Sequence, residues 1–264
     1  MTPATARLGP PWLPWRRAGS IARVLRRHHI DGATVRVLVA ADAPAGAATR
    51  AGARLRGALE ELGPTFVKFG QMLAQRPDLL PDAALAELRR LEDAVPAFPS
   101  AEARALVERE LGERVDRLFA DFEDAPLAAA SISQVHRATL RDGSRVAVKV
   151  QRPGLRATIE ADLELLDSLA RRGARWFPAV GPLAPVELVA EFAKSLRREL
   201  DFRLEAQAAH EIAAALADEP DLVVPTVLPA LSTERVLTTS YSSGRKLGAE
   251  WPSDPEARRR IADL

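Results

Sequence analysis

Gln134-Val-His-Arg-Ala-Thr-Leu140, then Arg141-Asp142-Gly143-Ser144, then Arg145-Val-Ala-Val-Lys149-Val150 is the stretch whose reading decides the fold. Both arms are short alternating segments, and Asp142-Gly143 between them is a strong local hairpin signal. The second arm sets Lys149 among apolar neighbours. Burying an ammonium without a partner is costly, so this lysine must reach an anion or the solvent.

Outward from the hairpin, the period changes from two to that of helices. Upstream, the pattern predicts helices over 47–62, 64–75 and 81–91, separated by Gly63 and by the Arg76-Pro77 break. Another follows over 101–111, with Ser100 as N-cap and Gly112 closing it. The segment 95–99 reads as a linker. Downstream, helices are expected over 155–176, 186–198 and 201–217, strands over 223–227 and 235–241, and a last helix over 254–264. No internal repeat or heptad array interrupts this order. The fold class expected is α+β.

Composition removes several function classes. A net charge of +1 excludes a chain-wide basic field, and nucleic acid is not an expected partner. Without cysteine there is no disulfide, zinc–thiolate site or thiol nucleophile, which fits a cytoplasmic protein. The best apolar run, 35–48, is broken by Arg36, Asp42 and Pro44, so no spanning helix is expected. Near the N-terminus, Trp12 and Trp15 precede Ile21, Val24, Leu25 and His28 at helical spacing among arginines. Such a stretch can rest on an anionic membrane surface as a peripheral contact. Packing its apolar face on the body with the arginines in water is the favoured reading. Only four of the 37 basic residues are lysines: Lys68, Lys149, Lys194 and Lys246. In an arginine background, a lysine hints that a compact ammonium is needed.

Three constellations carry candidate chemistry. A lysine on such a strand matches the place where protein kinases set one against nucleotide phosphates and a helix glutamate, although an edge-strand lysine turned to water would read identically. Before the hairpin lies Pro126-Leu-Ala-Ala-Ala-Ser-Ile-Ser-Gln-Val-His136, where a kinase has its phosphate loop. After it, Glu199-Leu-Asp201-Phe-Arg-Leu-Glu205 places acids on a helix. Asp201 and Glu205 share a face and repel unless a cation intervenes; a solvated helix face is the plain alternative. Finally, Leu62-Gly-Pro-Thr-Phe-Val-Lys68-Phe-Gly70-Gln71 puts a cationic and an amide head side by side. Gly70 costs about 1 kcal/mol of helix propensity, which a generic amphipathic helix has no reason to bear. It permits close backbone approach.

In order and rough spacing, these segments resemble the AarF/UbiB family of atypical kinase-like proteins, linked to ubiquinone biosynthesis, over about 47–247. The resemblance implies that Ala128, Ala129, Ala130 and Ser131 form the loop over the phosphates of ATP or ADP. It implies that Lys149 contacts phosphate with Glu205 as its helix partner, and that Ser240 and Ser242 belong to the hinge holding adenine. Lys68 and Gln71 would fold over the site and meet Glu199 and Asp201. Ser133 replaces a smaller glycine or alanine, and Thr239 and Ser240 replace the family's methionine–glutamate pair, which keeps the backbone contacts to adenine that the resemblance implies and removes the glutamate side-chain contact to ribose.

The domains implied are a basic tail over 1–45, a helical extension over 46–112, a kinase-like N-lobe over 113–250 and the start of a C-lobe over 251–264. The family's His-x-Asp and Asp-Phe-Gly motifs should lie beyond the hinge. After Tyr241 only Asp254, Glu256 and Asp263 occur, in a polar stretch without that pattern. No catalytic or metal-ligating residue is therefore expected here, and magnesium only if a C-lobe, on a separate chain, is supplied. The expectation is a split or truncated gene, or loss of catalysis. A non-catalytic partner protein docking through its helical extension is the rival reading.

Overall fold

The computed structural model describes residues 13–40, 42–91, 96–173, 185–219 and 222–243. In chain order the elements are α1 (Leu13–Arg27), α2 (Gly32–Val39), α3 (Ala45–Leu62), α4 (Pro64–Ala74), α5 (Asp82–Leu88), α6 (Ser100–Leu111) and α7 (Val115–Leu118). There follow β1 (Asp121–Ala129), β2 (Ser133–Thr139), β3 (Arg145–Gln151), α8 (Leu155–Gly173), α9 (Pro185–Glu199), α10 (Phe202–Ala215), a 3-10 turn (Pro229–Leu231) and β4 (Val236–Ser240). The fold is α+β, with one four-stranded sheet in the order β1-β2-β3-β4. Two compact units result. One joins residues up to Ala97 with Ala129–Ser133 and Gln151–Leu200; the other joins Phe98–Ala128, Gln134–Val150 and residues from Asp201 onward.

The helical unit is built on a shared apolar core. Ile21 and Val24 of α1 are buried with Leu59 and Leu62 of α3, Phe66 and Leu73 of α4, and Leu88 of α5. The N-terminal amphipathic helix therefore covers its apolar face with protein, while Arg23, Arg26 and Arg27 stay exposed. Gly70 is tightly enclosed: a Cβ there would lie 2.4 Å from Leu91 Cδ1 and 2.6 Å from Leu59 Cδ1. Its observed contribution is to core packing within this unit. No helix among the described residues is long and apolar enough to cross a membrane.

The sheet unit packs one face of its strands on α6. Val146, Val148 and Val150 of β3 are buried with Ala103, Leu106 and Val107 of α6, Phe119, Phe122 and Val236. The alternation of β3 is thus a burial alternation, and it turns Ala147 and Lys149 to the opposite face. The register pairs Lys149 with Leu237 of β4 in antiparallel alignment. Gly143 takes φ +85° in the β2–β3 turn, as an Asp-Gly hairpin requires.

Several boundaries differ from the expected ones. Pro99, not Ser100, precedes α6, and no side chain caps its start; Gly112 closes it in the left-handed conformation as expected. Although grouped with the helical extension on sequence, α6 supplies core residues to the sheet unit. The strand expected over 223–227 reduces to one bridge, Val227 to Thr239, and Val223 is 78% exposed. Strand β1 was not expected: it is an edge strand, where Pro126 and the acids of Asp121-Phe-Glu-Asp124 are tolerated. The helix expected over 254–264, the end of the one over 155–176 and Trp12 lie outside the described residues.

Behind β2 a buried polar chain fixes one histidine tautomer. His136 is fully buried, with Nδ1 2.9 Å from the Glu123 carbonyl and Nε2 2.8 Å from the Gln134 amide nitrogen. The carbonyl can only accept and the amide nitrogen can only donate, so Nδ1 carries the proton of a neutral ring. Burial pushes the His136 pKa below its ordinary 6.5; Arg104 also lowers it, opposed by the Glu123 carbonyl and the Asp124 charge. A folded-state pKa below the unfolded one means the unfolded chain binds the extra proton first. Stability from this residue is therefore full above about pH 6.5 and lost as pH falls below it. The expected slope is up to about 1.4 kcal/mol per pH unit. Denaturant titrations from pH 7.5 to 5 should show it, and His136→Gln should flatten it; equal slopes for both proteins would contradict this account.

Candidate functional site

Lys149 leaves the polar face of β3 and meets the first turn of α10. Asp201 sets that helix start: its carboxylate accepts from the Arg203 N–H at 3.1 Å and pairs with the Arg203 guanidinium at 2.7 Å. The Phe202 N–H donates to the Glu234 carbonyl at 3.0 Å, tying the same turn to the segment before β4. Glu205 then stands in the first turn, where the partial positive charge of the helix N-terminus favours a carboxylate. The Lys149 ammonium lies 2.6 and 2.8 Å from its two oxygens and 4.8 Å from the centroid of the Phe202 ring. This is the partner the sequence suggested. Phe202, fully buried beneath the ammonium, had no signal beyond its place between two acids.

With Lys149 25% and Glu205 48% exposed, the ion pair by itself adds only about 1 kcal/mol of stability. Its chemical value lies in the orientation of a compact cation, held by a carboxylate on one side and an aromatic face on another.

The alanine-rich segment is only partly a loop. Ala128 and Ala129 are the last residues of β1, so the loop itself is Ala130, Ser131 and Ile132. The expectation of four loop residues is corrected by two, because the alanines continue the edge strand. The tip closes through the Ala130 N–H donating to the Ser133 carbonyl at 2.8 Å. Ser131 is buried, and its hydroxyl has no hydrogen-bond partner among the described residues.

At the end of β4, Thr226 engages Ser240 twice. The Ser240 N–H donates to the Thr226 carbonyl at 2.8 Å, and its hydroxyl accepts from the Thr226 N–H at 2.9 Å. Of the two hinge candidates, Ser240 therefore has its N–H and hydroxyl engaged, and Ser242 lies exposed beyond the strand.

In the helical unit Lys68 reaches Glu199 at 3.4 Å, joining α4 to the end of α9. The Phe69 and Phe192 rings, 5.1 Å apart and edge to face, hold the same two helices together. Gln71, one turn on, donates to the Leu91 carbonyl at 3.2 Å. Asp201 serves its own unit as the α10 cap. No cluster of three acids or histidines suited to a metal occurs among the described residues.

A small sheet whose third strand delivers a lysine to a first-turn glutamate has the build of the nucleotide lobe of a kinase-like protein. A family model described as the ABC1 atypical kinase-like domain matches residues 90–257, and the chain belongs to that family. Its relatives are of the UbiB type. A probable protein kinase UbiB of Marinobacter nauticus is 45% identical over 176 residues, covering 67% of this chain and 32% of the relative. Its namesakes from Aeromonas hydrophila and Vibrio atlanticus are 45% and 43% identical, covering 70% and 73% of this chain and 34% and 36% of theirs. The chain thus spans about one third of the length of these relatives. Among solved structures, the complex of Rv3197 with erythromycin from Mycobacterium tuberculosis is 32% identical. That match covers 56% of this chain and 37% of the other, with a TM-score of 0.49.

Proposed function

We propose that this chain binds ATP or ADP as the nucleotide lobe of a UbiB-type kinase-like protein, and that it serves ubiquinone or another lipid-quinone pathway. The observation that carries the reading is the Lys149–Glu205 pair, set on a strand and a first turn that belong to one unit. Lys149 presents a positive charge for phosphate oxygens, with Glu205 fixing its direction. The nucleotide supplies the phosphoryl group; Ala128, Ala129, Ala130 and Ser131 line its phosphates, and Ser240 and Ser242 lie toward its base. Within the helical unit, the Lys68–Glu199 pair is the part of the covering set that this reading retains. Magnesium enters only with acids that the described residues do not group together. A lipid surface is the partner this reading adds.

Titration of the full chain with ADP, followed by calorimetry, tests it. Binding by the native sequence and a loss of roughly tenfold or more in Lys149→Ala are expected, because a charge-assisted hydrogen bond contributes about 1.5–3 kcal/mol. Thermal stability should change little, since the pair is half-exposed. Absence of ADP binding in the native chain would overturn the reading and favour a non-catalytic partner protein.

A further inference from the structure

The face of the sheet that carries Lys149 has a second cluster at its other end. Ala138 of β2 is buried with Val146, Val148 and Val150 of β3 in the core against α6. Arg137, Arg145 and Ala147 therefore share the opposite face with Lys149. On β4 the register sets Leu237 opposite Lys149 and Thr239 opposite Ala147. Tyr241 follows two residues on, where its N–H donates to the Arg145 carbonyl at 3.0 Å. All of these residues belong to the sheet unit.

Tyr241 is the single tyrosine of the chain, and two arginines hold it. The Arg137 and Arg145 guanidinium carbons lie 5.0 and 5.5 Å from its ring centroid, within cation–π range. Arg137 also donates through Nη2 to the phenol oxygen and through Nη1 to Glu123 of β1, each at 3.2 Å. One chain of contacts thus runs across β1, β2 and β3 to the residue just beyond β4. Arg145 and Lys149 stand four positions apart on β3, about 13 Å at the rise of a strand. Between them this face carries the short side chains of Ala147 and, across on β4, Thr239.

A nucleoside diphosphate has the same polarity, with charged oxygens at one end and a flat base at the other. Lys149 takes the phosphates, which directs the base toward Tyr241. There the backbone is committed: the Ser240 N–H serves the Thr226 carbonyl and the Tyr241 N–H serves Arg145. Ser242, exposed just past the strand, is the next residue whose backbone a base can meet. The ladder ends before it, so its place depends on how Tyr241 is held. We propose that Arg137 is a positioning residue for the base: with Arg145 it holds the Tyr241 ring, fixing the exit of β4 and the place of Ser242 at the base-side end of the site. This rests on the nucleotide reading above and adds a residue that acts through another. A lysine there lacks the fork that reaches Glu123 and the phenol together.

The test uses the full chain, the variants Arg137→Met, Tyr241→Phe and both together, and two probes, ADP and adenosine. Arg137→Met should weaken both probes about fivefold, the scale of one ordinary hydrogen bond, so that the ratio of the two affinities keeps its native value. Lys149→Ala should instead weaken ADP and spare adenosine. Tyr241→Phe keeps the ring and loses the phenol contact. The double variant should bind no more weakly than Arg137→Met alone, because both changes break one path. If Arg137→Met fails to fold, Tyr241→Phe, which removes one oxygen, carries the measurement through a smaller loss that is equal for both probes. Unchanged adenosine affinity, a greater loss for ADP than for adenosine, additive losses in the double variant, or a native chain that binds ADP but not adenosine would each overturn the assignment while nucleotide binding stands. If the native chain binds neither probe, the nucleotide reading itself falls and this role falls with it.

Discussion

Replacing Arg17 by methionine is expected to destabilise the helical unit by roughly 3–5 kcal/mol, the cost of stranding a buried charge. Asp162 of α8 is 1% exposed, and the Arg17 guanidinium grips it in a fork, Nε at 2.6 Å and Nη2 at 3.1 Å. The same Nη2 donates to the Leu62 carbonyl at 2.8 Å, at the C-terminal end of α3. Three helices thus converge on one side chain, whose guanidinium also lies 5.6 Å from the centroid of the Phe66 ring. Methionine preserves much of the apolar stem and removes only the fork, leaving the carboxylate buried without it. The double variant Arg17→Met with Asp162→Leu should recover most of the loss, since an apolar pair of similar volume avoids desolvation altogether. Urea midpoints of the three proteins check this; a single variant within about 1 kcal/mol of the native chain would show that the fork is a surface pair in effect.

The second large effect is at Gly52, where α3 crosses α5. A Cβ placed there would lie 2.7 Å from the Ala84 Cα and 2.9 Å from its carbonyl oxygen. Both are backbone atoms of a fully buried residue, so neither can swing aside as a side-chain end would. Gly52→Ala is expected to cost about 3 kcal/mol by overpacking, reduced by about 1 kcal/mol of helix propensity gained, for a net loss near 2 kcal/mol. Gly46→Ala, in the same helix, meets only the tip of Arg50 at 3.7 Å and should be neutral or slightly stabilising. Thermal melts of the pair separate the two mechanisms. If both alanines raise the melting temperature, the α3–α5 approach is less tight than the distances imply.

What could be read from the residues followed local rules. The hairpin was legible because strand alternation and an Asp-Gly turn agree, and its valines are indeed the buried face. Lys149 was legible because an ammonium between valines must be answered by charge or water; Glu205 answers it across 56 positions of sequence. The amphipathic first helix was legible as a packing element from its spacing alone, and Ile21 and Val24 are buried in the core.

The rest was decided by tertiary context. Strand β1 has no local signal, since proline, acids and alanines read as a loop until an edge position makes them acceptable. The role of Gly70 could not be inferred, because a glycine signals close approach without saying to what, and the neighbours are Leu59 and Leu91. Nor does anything in the string Gln151-Arg152-Pro153 announce that an arginine will gather carbonyls from positions 96, 130 and 132. The sequence by itself determined the hairpin of β2 and β3, the need of Lys149 for an anion and the class of fold, because these depend on near neighbours and on the cost of burying charge. Which carbonyls Arg152 holds, which core Gly70 and Gly52 admit, and which helix start presents Glu205 were settled only by the tertiary structure, because hydrogen bonds and close contacts between distant segments exist only once the chain has brought them together.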